Sequence, residues 1–124
     1  MVSPGGFKAY EHQWAMVEAF QFHQRIGPAR VADRIAELNS RLKDGLAAMP
    51  HVVLHTPRDP ALSAGITCFD VKGMKPDEVV KKLLEKRVVA STSPYKVSVA
   101  RLAPSLVNDE AQVDAALEAM TGLA

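Results

Sequence analysis

Val97-Ser98-Val99-Ala100-Arg101-Leu102-Ala103-Pro104-Ser105-Leu106-Val107-Asn108 is the stretch on which the reading of the fold turns. Its first half alternates like a β-strand, with one arginine set among apolar residues. Pro104 lacks the N–H that a strand ladder needs, so the strand should end there. Asn108, followed by Asp109 and Glu110, predicts a helix whose N-cap is Asn108 and whose inward residues are Val113, Leu117 and Met120. An arginine in mid-strand must keep its guanidinium wet, pair it, or offer it to a ligand. Arg101 is therefore the residue to explain.

Upstream, Gly65 to Val71 predicts a strand with Ile66, Cys68 and Asp70 on one face and Thr67, Phe69 and Val71 on the other. His51 to His55 and Val88 to Ala90 predict two further short strands. Between them, Gly73 makes a turn and Pro76 opens a helix with Asp77 and Glu78 in its first turn. Val31, Ile35, Leu38, Leu42 and Leu46 recur at helical spacing, which leaves the arginines, aspartates and Lys43 for the opposite, polar face. A preceding helix from about Glu11 ends at Gly27-Pro28. Its apolar residues Trp14, Val17, Phe22 and Ile26 cover more than one side, so contacts on several sides are expected. Residues 1–10, with Pro4-Gly5-Gly6, read as a tail or loop, and residues 11–124 as one domain. The order helix, helix, strand, strand, helix, strand, strand, helix predicts an α+β fold: a small, mostly antiparallel sheet of about four strands with helices packed on one face.

The bulk numbers exclude several function classes. The chain has 124 residues, 48% hydrophobic and 23% charged, which suits one globular domain. A net charge of +1 without a basic block argues against a nucleic-acid partner or a membrane surface. No apolar run reaches membrane-spanning length, so a soluble chain, cytoplasmic by default, is expected. The single cysteine, Cys68, permits no internal disulfide, and its apolar neighbours predict a buried, inert thiol.

No motif marks a stand-alone catalyst. Gly5-Gly6 lacks the strand and spacing of a phosphate loop. His51 and His55 sit about 13 Å apart in an extended strand and do not share a metal, so no metal site is expected. A hydrolase elbow is absent, Cys68 has no evident histidine partner, and no lysine stands in a setting that marks a cofactor-linking amine.

Read together, Phe20 to Gly27, Arg34 to Leu38, Leu42 to Pro57, Gly65 to Gly73, and Val99 to Pro104 with Asn108 and Val113 to Leu117 carry a resemblance in order and spacing. Ala15 to Leu123 resembles the C-terminal small domain of class V aminotransferases, fold-type I enzymes dependent on pyridoxal 5′-phosphate. Pro4-Gly5-Gly6-Phe7 and Ala90-Ser91-Thr92-Ser93-Pro94-Tyr95 are most similar to the isopenicillin N epimerase-like subgroup. The group also contains cysteine desulfurases and selenocysteine lyases.

The resemblance implies that Arg101 binds the α-carboxylate of an amino-acid substrate, for which a planar guanidinium offers two parallel hydrogen bonds. The cofactor would then act as the electron sink. His12 stands where relatives carry a threonine that reaches the phosphate of a neighbouring subunit's cofactor, so it is a candidate cofactor contact. The lysine, aspartate and histidine that hold the cofactor belong to a large domain that has no counterpart in these residues. The chain alone is therefore expected neither to bind pyridoxal phosphate nor to turn over, and the full-length enzyme is expected to be a homodimer. The alternative is a non-catalytic binding or dimerisation module with the same fold.

Overall fold

The computed structural model describes residues 9–123. These fall into two compact units, one up to Ala32 and one from Asp33 onward. In the first, α1 (Tyr10–Ile26) ends at Gly27, whose φ of 98° lies in the left-handed region and whose N–H closes on the His23 carbonyl at 3.1 Å. Pro28 then opens α2 (Pro28–Ala47), its fixed φ suited to a first helical position. The several-sided apolar character of α1 has no matching burial: none of its residues is buried, and Trp14 is 73% exposed.

The second unit contains β1 (Val52–Leu54), β2 (Thr67–Val71), α3 (Pro76–Glu85), β3 (Ser91–Thr92), β4 (Ala100–Leu102) and α4 (Glu110–Thr121). The sheet order is β1-β2-β4-β3, with every neighbouring pair antiparallel. This is the α+β architecture expected from the sequence. Alternation along β2 buries Thr67, Phe69 and Val71 and turns Cys68 and Asp70 to the other face. Leu38, Leu42 and Leu46 of α2, Val79 and Leu83 of α3, and Val113 and Met120 of α4 join Phe69, Ala100 and Leu102 in one core. Each fully buried leucine or phenylalanine there contributes roughly 1.5–3 kcal/mol. The sheet thus has one face under helices and one face open.

Three local expectations are corrected. Val88 to Ala90 form no strand, and the end of α3 takes the first of their donors. Arg87, at φ 63°, sends its N–H to the Leu84 carbonyl, and Val88 sends its own to Leu83, which closes the helix with a left-handed cap. Strand pairing begins only at Ser91. Lys43 lies in the interior rather than on the polar face: it is 2% exposed, and its ammonium donates to the carbonyls of Pro57 and Arg58 and to Ser63 Oγ at 3.2, 3.0 and 2.6 Å. Its long stem carries the charge through the core to three oxygens of a loop. Asn108 is not the cap of α4. Asp109 is, accepting from the Gln112 N–H at 2.8 Å, while the Gln112 side chain returns to the Asp109 N–H.

Candidate functional site

The open face of the sheet is built by register. Arg101 stands directly across from Cys68 of β2 on one side and Ser91 of β3 on the other, and Asp70 across from Val53 of β1. Residues paired across strands point to the same face, so Arg101, Cys68, Asp70 and Val53 share the side without helices. His55, just past β1, brings Nε2 to 2.7 Å from Asp70 Oδ2, and both side chains are about two-fifths exposed. Cys68 is half-buried on this face and not in the core as its apolar neighbours suggested. The alternation of β2 held the signal for that placement, since Cys68 lies out of phase with Phe69.

Arg101 itself is half-buried. Its Nη2 donates to the Thr92 carbonyl at 2.9 Å, while its Nε is buried and has no hydrogen-bond partner among the described residues. A buried donor without an acceptor is costly and calls for an explanation. Of the other arginines of the unit, Arg34 is paired with Glu37 and Glu110, Arg41 with Asp114 and Arg58 with Asp44, while Arg87 is exposed. Among the described residues Arg101 has no carboxylate partner. It is a cation placed on a rigid strand, oriented by one carbonyl, with donors to spare.

What orients that carbonyl is a compact knot between β3 and β4. Ser93, buried, sends its N–H to the Val99 carbonyl at 2.9 Å. In a regular narrow antiparallel pair Val99 would return its N–H to the Ser93 carbonyl. Here it donates to Ser93 Oγ at 3.1 Å, and Ser98 Oγ takes the Ser93 carbonyl at 3.1 Å. The hydroxyl replaces the carbonyl in the ladder and so ends β3. At the other end of β4, buried Asn39 of α2 donates to the Pro104 carbonyl at 3.0 Å and accepts from Thr67 Oγ1 at 3.3 Å. Neither Ser93 nor Asn39 stood out in the sequence, because a serine in a polar loop and an asparagine in a helix carry no distinguishing pattern.

The remaining candidates have structural work or another location. Asn108 accepts from the Ser105 N–H and donates to Gln112 Oε1, both at 2.9 Å, so its amide is committed to the turn before α4. His51 Nε2 lies 3.1 Å from the Met120 carbonyl. His12 is exposed in the first turn of α1, in the first unit, whereas Arg101 belongs to the second. The charge pairs that shift titration lie in the helical layer: the Arg34 guanidinium, hydrogen-bonded at 2.5 Å, lowers the Glu110 carboxyl to about 2, and Arg41 likewise holds Asp114 below its ordinary value. A cavity of about 570 Å³ opens between the end of α3 and the start of α4, lined among others by Arg87, Leu102 and Gln112; Arg101 is not part of it. Among the described residues no group of three histidine, cysteine or acidic side chains could hold a metal ion, and no helix is long and apolar enough to cross a membrane.

Lys43 is buried and held by three oxygens, Lys72 and Lys86 are tied to the carbonyls of Pro50 and Ala119, and Lys75, Lys81, Lys82 and Lys96 are exposed.

A small antiparallel sheet with helices on one face defines the class, an α+β domain, and its other face carries an arginine without a carboxylate partner among the described residues. Residues 9–109 match the family described as aminotransferase class-V, and the chain belongs to that family. Its enzymes work with pyridoxal phosphate, which is the cofactor of the full-length enzyme in which such a domain serves. A lysine-to-alanine variant of C-DES, with glycine covalently linked to its PLP cofactor, is similar at 26% identity and a TM-score of 0.79, over 94% of this chain and 30% of that one. The apo cysteine desulfurase of Thermococcus onnurineus NA1 shares the fold at 22% identity and a TM-score of 0.77, over 83% of this chain and 28% of that one. The cysteine desulfurase CsdA of Escherichia coli does so at 16% identity and 0.70, over 82% and 27%. The chain thus spans less than a third of the length of these proteins. No curated protein matches it.

Proposed function

We propose that this chain is the small domain of a pyridoxal-phosphate-dependent class V enzyme and that Arg101 binds the α-carboxylate of its amino-acid substrate. The observation that carries the reading is the state of Arg101: one hydrogen bond to Thr92, no carboxylate partner among the described residues, and a buried Nε left without an acceptor. Besides that buried atom, Nη1 has no partner among the described residues, so an arriving carboxylate finds a free charged donor on a guanidinium already fixed to Thr92. Placement on β4, between two paired strands, limits the side chain's freedom and reduces the ordering cost of binding. In this role the chain binds and orients substrate; bond breaking at the α-carbon belongs to the cofactor and to residues of a larger domain.

The same proposal extends to finer points. His12 would contact the cofactor phosphate of a neighbouring subunit in a homodimer, and Ala90 to Tyr95 support an isopenicillin N epimerase-like subgroup. The similarity to C-DES, which one structure captures as a cystine C-S lyase with cysteine persulfide, supports the lyase side of the family instead. Exchange of the α-proton in deuterated water against release of sulfur from cystine, both measured on the full-length enzyme, separates the two.

The test of Arg101 is Arg101→Ala in the full-length enzyme. Loss of a charge-assisted contact of about 1.5–3 kcal/mol predicts roughly 10- to 100-fold weaker amino-acid binding. The corresponding amine without the carboxyl group should bind both forms equally. Unchanged amino-acid affinity, or equal losses for acid and amine, would remove Arg101 from the carboxylate site.

A further inference from the structure

We propose that Ser93 is a positioning residue for Arg101, holding the Thr92 carbonyl where it fixes the guanidinium. The inference rests on the reading of Arg101 given above, but its own evidence is separate. Arg101 has one anchor among the described residues, the Thr92 carbonyl at 2.9 Å. Thr92 is the last residue of β3, an edge strand of two residues, and such a strand has little pairing of its own to keep it in place. The residue that follows is Ser93, only 6% exposed, and its hydroxyl accepts the Val99 N–H at 3.1 Å. With the Ser93 N–H on the Val99 carbonyl, this makes a two-bond clasp one residue beyond Thr92 and two residues before Arg101.

The chemistry requires a side-chain acceptor at position 93. The Ser93 carbonyl accepts from Ser98 Oγ at 3.1 Å and the Ser93 hydroxyl donates to the Val97 carbonyl at 3.4 Å, so the loop from Pro94 to Ser98 is folded back on Ser93 from both ends. Without Oγ, the Val99 N–H loses its acceptor in a half-buried setting, and the clasp keeps one bond of two. The edge strand then frays from Thr92, and Arg101 loses its anchor without any change to its own chemistry or to the core beneath it. The loop clasped by Ser93 also carries exposed Tyr95 and Val97, so slackening it loosens that surface as well.

The experiment reads Arg101 directly. In the isotopically labelled chain, ¹⁵N relaxation of the Arg101 Nε–H gives its order parameter, expected near the rigid-backbone value of about 0.85 in the unaltered chain. Ser93→Ala should lower it below about 0.6, the flexible range, with the backbone of α2 and α4 unchanged. Ser93→Cys, which keeps the size but weakens the acceptor, should fall between the two, and it decides the matter if Ser93→Ala fails to fold. Val113→Ala, which removes core volume on α4, should leave Arg101 rigid. An ordered Arg101 in the Ser93 variants, or an equal loss of order in Val113→Ala, would overturn the proposal. An Arg101 that Ser93 orders but whose removal leaves carboxylate affinity intact would instead strike the reading of its function and spare this one.

Discussion

Asn39→Ala is the substitution whose cost can be worked through most fully. Asn39 is 1% exposed and bridges three elements: α2, the Pro104 carbonyl just past β4, and Thr67 at the start of β2. Thr67 is itself fully buried, so removal of the amide leaves a buried hydroxyl and a part-buried carbonyl without partners. At about 1–3 kcal/mol for each orphaned group, partly relieved by relaxation, the expected loss is about 2–4 kcal/mol. Thr67→Val removes the hydroxyl at nearly constant shape and leaves Asn39 Oδ1 unpaired, for about 1 kcal/mol. In the double variant the Thr67 orphan no longer exists, so its cost should fall short of the sum by about 1 kcal/mol. Urea titrations followed by far-ultraviolet circular dichroism measure all three, and thermal midpoints should show the Asn39→Ala loss as a drop of about 10 °C. Additive costs within about 0.3 kcal/mol, or a single-variant loss below about 1 kcal/mol, would refute the claim that the amide satisfies both groups.

Gly45→Ala should destabilise the chain although alanine favours a helix by about 1 kcal/mol, because a Cβ there would run into the Leu117 side chain of α4; paired with Leu117→Ala it should restore stability relative to Leu117→Ala alone, as thermal melts would reveal. Glu110 has its folded value lowered to about 2 from an ordinary 4.5, chiefly by its hydrogen bond to Arg34. A depressed carboxylate contributes stability above its unfolded value and loses it as pH falls through the folded one. Glu110→Gln should therefore lower the melting temperature at neutral pH, and the gap to the unaltered chain should close between pH about 4.5 and about 2. A gap that stays constant over that window would show that the pair does not titrate with folding.

The fold was legible where burial alone decides it. The spacing of Leu38, Leu42 and Leu46 names the helical layer of the core, and the alternation of β2 separates Thr67, Phe69 and Val71 from Cys68 and Asp70; which of those two faces is buried, the first, came only with the structure. Pro28, Gly27 and Pro76 mark helix ends through backbone constraints that need no tertiary context. Legibility failed where a polar side chain satisfies distant backbone. Lys43 reads as surface because its ligands, three oxygens of the loop at 57–63, lie 14 to 20 residues away. Strands came out shorter than the alternation suggested, since Ser93 Oγ and the α3 cap divert N–H groups that a ladder would have used. The helix boundary at Asp109 was missed by one residue because Asn108 and Asp109 are both good caps, and only the contact with Ser105 separates them. The candidate arginine was found from its setting in an apolar strand; its anchor, a backbone carbonyl, leaves no trace in residue types.

Cys68 offers a practical consequence of the register on the open face. It is the only cysteine in the sequence, half-accessible, and the direct cross-strand neighbour of Arg101. A trifluoromethyl tag attached to that thiol would sit one strand away from the guanidinium, with no other thiol in this sequence to compete for the reagent. Its fluorine resonance would then report occupancy and mobility at Arg101 in the unmutated chain.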